Sequence, residues 1–163
     1  LSNNLPNPMR NKSMKKILAA LAIFAATFSA QAEEIGRVST AFKVLGSNDA
    51  IAIEAFDDPL IPGVACHLSR AKKGGVTGDL GLATNVTEAS IACRQVGAIQ
   101  LPATIAQGQA VFQEKQSILF KTMHVVRFYD SKRNTLIYLV YSDKLIDGSP
   151  KNSISTVPVQ RWN

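Results

Sequence analysis

The chain has 163 residues, with 18 lysines and arginines against 12 acidic residues, a formal charge of +6 and a sequence pI near 9.5. Four of the basic residues (Arg10, Lys12, Lys15, Lys16) and none of the acidic ones fall in the first 32 positions, so the other 131 residues carry 14 against 12, a charge of +2. That near-balance excludes the strong positive field of a nucleic-acid-binding surface.

The N-terminal segment has the three parts of a secretory leader: Lys15-Lys16, the apolar run Ile17 to Phe28 and the small-residue triplet Ala30-Gln31-Ala32. Cleavage is expected between Ala32 and Glu33. The run has 12 residues, whereas a spanning helix needs roughly 20, so a leader fits better than an anchor and the membrane is met only in transit. No cysteine stands near the cleavage point to receive a lipid. Leu1 to Pro8 precede two candidate start residues, Met9 and Met14, and are set aside with the leader. Residues 1–32 are thus expected to be removed, leaving a single domain at 33–163 in the periplasm.

From Ile35 onward, short apolar stretches alternate with turn chemistry, the pattern of an antiparallel sandwich or barrel with one or two short helices. Ile35 to Leu45 reads as a first strand ending at Gly46-Ser47-Asn48-Asp49. Ala50 to Phe56 alternates Ile51, Ile53 and Ala55 on one face with Ala52, Glu54 and Phe56 on the other, and Asp57-Asp58-Pro59 stops it. Val64 to Arg70 is a third strand. Lys72 to Ala83, with four glycines in twelve residues, reads as a loop or irregular edge. Thr87 to Val96 is open between two forms. Thr87 and Glu88 suit a helix start, whereas Ile91, Cys93 and Gln95 on alternate positions favour a strand.

Pro102 and Gly108 bracket an expected short helix, Pro102 to Gln107, which at under two turns needs docking to persist. Gln109 to Lys115, Ser117 to Tyr129 and Thr135 to Tyr141 are rich in aromatic and β-branched residues, with Asp130 to Asn134 as a polar turn. Apolar residues on both faces of the last two strands imply a hairpin covered on each side. A short strand around Ile154 to Val159 closes the pattern.

Cys66 and Cys93 are the two cysteines. In an oxidising compartment one intramolecular disulfide is expected, and closing its 28-residue loop is worth roughly 3–4 kcal/mol. Two cysteines and two distant histidines, with no C-x-x-C, make neither a zinc site nor a redox pair. His124 reads as a hydrogen-bonded core histidine, and His67, beside Cys66, falls on the opposite face from it. Asp57-Asp58 with Glu54 upstream could serve as acid, base or metal ligand, although adjacent acids before proline are more often turn-formers. The spaced Gly75, Gly78 and Gly81 lack the residues of a P-loop or dinucleotide fingerprint. Asn85-Val86-Thr87 has the pattern of a glycosylation acceptor but follows a bacterial-type leader.

Charge gathers where the chain turns. A functional surface is therefore expected at Glu54, Asp57, Asp58, Arg70, Lys72, Arg127 and Asp130. Arg127 interrupts a hydrophobic strand, so its guanidinium needs a carboxylate partner or a bound anion.

Several segments, in order, resemble the CreA family of small bacterial periplasmic proteins: Glu33 to Gly36, EAFDDP at Glu54 to Pro59, SRAKKGG at Ser69 to Gly75, and GLA at Gly81 to Ala83. Then follow VVRFYD at Val125 to Asp130, KRN at Lys132 to Asn134, YSDK at Tyr141 to Lys144, GSPKN and VPV. Both cysteines sit where the family has its pair. The resemblance implies a periplasmic location, one domain and a disulfide; it carries over no activity, cofactor or catalytic residue. A soluble binding or interaction protein with an unknown protein or small-molecule partner, with no cofactor, metal or nucleic acid, is the expectation. The alternative is a small hydrolase or transferase using Glu54, Asp57 or Asp58, which requires a cleft joining those acids to His124.

Overall fold

The structure, a computed structural model, describes residues 31–80, 89–115, 122–143 and 151–163. Among these residues eight strands form in chain order: β1 Glu33–Ala41, β2 Asp49–Asp57, β3 Val64–Lys72, β4 Ala89–Gln95, β5 Gln109–Lys115, β6 Thr122–Asp130, β7 Thr135–Ser142 and β8 Asn152–Pro158. They make two four-stranded antiparallel sheets, β1-β2-β3-β4 and β5-β6-β7-β8, each a simple meander. The chain is strand-dominated, as its alternation predicts.

One core lies between the sheets. Phe56, Val64, Cys66, Leu68, Ile91 and Cys93 from the first meet Val111, Phe112, Met123, Val125, Leu136, Tyr138 and Val140 from the second. Phe56 stacks on Phe112 with ring centroids 4.9 Å apart, an offset geometry worth about 0.5–1.5 kcal/mol beyond its area. On β2 the inward set is Ala50, Ala52, Glu54 and Phe56, while Ile51 and Ile53 are 43% and 41% exposed.

Cys66 faces Cys93 across β3 and β4, and the two form a disulfide. The Cys93 N–H turns away from β3 and donates to Ser155 Oγ of β8 at 2.8 Å. A side chain thereby links the adjoining edges of the two sheets.

Several expectations need correction. Pro102 to Gln107 is not a helix: Leu101 and Ile105 pack on the core from an irregular segment. Gln107 pins that segment, its amide donating to Tyr129 O and accepting from Tyr129 N, both at 3.0 Å. A helix of so few residues could not compete with that tether. The glycine-rich stretch is not all loop, because α1 forms at Gly75–Asp79. Its carboxylate Asp79 accepts from Ser47 N and Oγ, at 2.9 and 2.5 Å. The first strand ends at Ala41, and Phe42, Val44 and Leu45 are exposed. In the described part of the β6–β7 hairpin, Met123, Val125, Arg127, Leu136, Tyr138 and Val140 are buried on one face. The other face is mostly half-buried, with Val126 buried, so among the described residues its cover is partial. Residues 89–95 are strand. Thr87, Glu88, the Asn85-Val86-Thr87 pattern and the apolar residues at 118–120 lie outside the described residues, as does the leader at 1–30. Among the described residues, no helix is long and apolar enough to cross a membrane.

Candidate functional site

The charged residues singled out by sequence separate into a buried tie and an open cleft. Asp58, at the turn after β2, is buried and accepts from Leu60 N at 2.9 Å and Ile61 N at 3.1 Å, which is the turn-forming role expected of it. It also takes Arg127 Nη1 at 2.7 and 2.6 Å and the Tyr138 hydroxyl at 2.7 Å. Burial first, and then the Asp58 charge, raise the Tyr138 pKa well above its ordinary value. Arg127 therefore finds its carboxylate inside the core, with Gln109 Oε1 as a further acceptor at 3.0 Å. Arg127 Nε is buried without a hydrogen-bond partner among the described residues. Neither Asp58 nor Arg127 belongs to a surface: both are buried, and their mutual pairing offsets the cost of desolvating them. The exposed member of the acidic pair is Asp57. Asp130 accepts from Lys132 N, Arg133 N and the Arg133 guanidinium at the β6–β7 turn. The Arg133 hydrogen bond holds its pKa below the ordinary value. It is a turn residue.

Glu54, Arg70 and Lys72 do come together. Arg70 grips Glu54 through two bonds of 2.8 Å and reaches across to Glu114 of β5 at 2.6 Å. Lys72 lies 2.6 Å from Glu54 and 3.2 Å from Glu34, and Glu34 in turn binds Arg37 at 2.7 and 2.9 Å. Burial alone would raise the Glu54 pKa, yet the bonds from Arg70 and Lys72 outweigh it and hold the carboxyl below its ordinary value. The pKa of Arg70, which burial would lower, is raised by its two carboxylates.

Two irregularities build this arrangement. Glu34 and Arg37 are three residues apart and would face opposite sides of a regular strand. The register slips between Glu34 and Gly36 where β1 pairs with β2, and this bulge puts both side chains within reach of each other. A second slip between Ala110 and Phe112 turns Val111 and Phe112 both toward the core. Glu114 is left at the rim, 38% exposed.

The result is a cleft of about 550 Å³ lined by Gln31, Ala32, Glu34, Glu54, Lys72, Phe112, Gln113 and Glu114. Sequence reading found Glu54, Arg70 and Lys72 but missed Glu34, Phe112, Gln113 and Glu114. The available signal was the polar run of β5: Gln113, Glu114 and Lys115 are polar on consecutive positions after the apolar Ala110, Val111 and Phe112.

Glu54, Asp58 and His124 do not share a cleft. Glu54 and Asp58 serve separate arginines, and His124 is half-buried on the outer face rather than in the core. There its Nε2 lies 2.9 Å from Asp143 Oδ2, and its ring stacks on Tyr141, centroids 5.1 Å apart. The reason is the strand's alternation, which sends Met123, Val125 and Arg127 inward and His124 outward. Among the described residues, no group of three or more His, Cys, Asp or Glu could hold a metal ion.

Residues 35–162 match the protein family described as CreA protein. The chain is 51% identical over 152 residues to Protein CreA of Escherichia coli strain K12, with 91% of this chain and 97% of that protein covered. Protein CreA of Escherichia coli O157:H7 and of O6:H1 strain CFT073 match to the same extent. No solved structure matches.

Proposed function

The chain belongs to the CreA family, and from that premise we propose that it is an exported binding protein of the bacterial periplasm whose ligand seat is the cleft at Glu34, Glu54, Lys72, Gln113 and Glu114. The carrying observation is the Arg70 fork. It clamps one carboxylate from each sheet at the cleft wall, at 2.8 Å to Glu54 and 2.6 Å to Glu114. Polar groups held this firmly lose little freedom when a ligand arrives, which favours recognition.

The charges of the network balance: Glu34, Glu54 and Glu114 against Arg37, Arg70 and Lys72. A neutral or zwitterionic small molecule suits that balance better than a charged polymer. Export is supported by the leader-like segment before Ala32, by the Cys66–Cys93 disulfide and by a first strand that begins at Glu33. Native mass spectrometry of protein purified from periplasmic extract tests the reading. A co-purified species of constant mass is expected, and it should be lost in Glu114→Gln with Gln113→Ala. Retention of the same species by that variant, or its absence from the parent protein, would remove the cleft as the seat.

A further inference from the structure

Two facing sheets have two seams, and the second lies on the other side of the molecule, where β4 runs along β8. No backbone ladder joins these edges. Instead Ser155 Oγ takes the Cys93 N–H, and the Gln95 amide accepts from Gln160 N and donates to Gln160 O, both at 2.9 Å. Outside this side-chain stitching is a cleft of about 740 Å³ whose lining includes Arg94, Arg161, Trp162, Ser155, Thr156 and Gln160.

The arginines single this cleft out. Of the six among the described residues, Arg37 pairs with Glu34, Arg70 with Glu54, Arg127 with Asp58 and Arg133 with Asp130. The other two, Arg94 and Arg161, have no carboxylate partner among the described residues, and both line this one cleft. No Asp or Glu side chain lines it. Trp162, the single tryptophan of the chain, is 52% exposed on the same wall.

We propose that the β4–β8 cleft binds an acidic saccharide, a sugar ring bearing a carboxylate or phosphate. A guanidinium matches the planar carboxylate or the phosphate with two parallel hydrogen bonds. The indole offers a wide apolar face with a polar edge, suited to the C–H face of a pyranose. Ser155 Oγ, while accepting from Cys93 N, keeps its own hydrogen to donate, and Thr156 and Gln160 supply further donors and acceptors for ring hydroxyls. The floor is fixed by the disulfide beneath Cys93 and by the double bridge of Gln95. This site shares no lining residue with the cleft at Glu54, and its test is independent of that reading.

Trp162 is its own reporter. The processed protein is titrated, by intrinsic fluorescence, with glucuronate, glucose 6-phosphate, glucose, inorganic phosphate and a triglutamate peptide. The expected result is a saturable change with the two acidic sugars that weakens with added salt. Binding should be weaker by about tenfold or more for glucose, phosphate and peptide, and by a similar factor in Arg94→Gln with Arg161→Gln. Both side chains are exposed, so the variant should keep the parent melting temperature. No saturable change with either acidic sugar overturns the proposal. So does an equal response to phosphate or peptide, or an undiminished response in the double variant.

Discussion

Asp58 collects four donors from three different stretches of chain, two of them main-chain N–H groups of its own turn. Removing Arg127 would leave that carboxylate buried with no countercharge. Arg127→Leu is therefore expected to cost about 3–5 kcal/mol in urea unfolding, the usual cost of breaking a buried pair. Adding Asp58→Asn should restore a large part of it; a loss under about 1 kcal/mol in the single variant would contradict the burial of the pair. Glu54 makes a pH prediction. Its pKa is held below the ordinary value, so the folded state favours the ionised form. The stability it contributes is complete above about pH 4.3, the unfolded glutamate value, and is lost as pH falls through the lower folded value. Acid should therefore destabilise the parent more steeply than Glu54→Gln, as read by unfolding free energy between neutral and acid pH. At this scale the sequence shows that Arg127 needs a partner. It cannot show that the partner is Asp58 rather than Asp57, because alternation ends at the turn and Asp58 stands 69 positions from Arg127.

The strands were legible because their alternation is a local property, whereas the bulges that shape the cleft at Glu54 were not. Nothing near Ile35 announces a slipped register, yet that slip puts Glu34 on the face of Arg37. Face assignment on β2 was equally hidden, since the isoleucines look more suited to a core than Ala52 and Glu54; the arginine of the neighbouring strand decides it. Pro102 and Gly108 mimic helix ends, but tertiary tethering through Gln107 prevails over so weak a local signal. The Cys66–Cys93 link joins adjacent strands, and both residues are buried. Native unreduced protein should resist iodoacetamide. Cys66→Ala with Cys93→Ala should lose roughly 3–4 kcal/mol by the loop-entropy argument, measured by urea unfolding. Rapid labelling of both thiols in the native state would show that the link does not form.

At the scale of the molecule, among the described residues, Arg70 ties to Glu114 of the facing sheet and Arg127 of β6 to Asp58 in the turn after β2. Among the described residues no backbone ladder joins the edges of the two sheets, and clefts lie at the seams. One wall of the cleft at Glu54 is made by Gln31 and Ala32, the last two residues before the expected processing point. Maturation would therefore do more than trim the chain. It would take away that part of the wall and leave a new α-amino cation on Glu33, one residue from Glu34. The cleft, already present with Gln31 and Ala32 in place, would then be wider open to solvent in the processed form. Two forms beginning at Gln31 and at Glu33, expressed side by side, should differ in the amount of co-purified ligand by native mass spectrometry. Equal loading of both would separate binding from maturation.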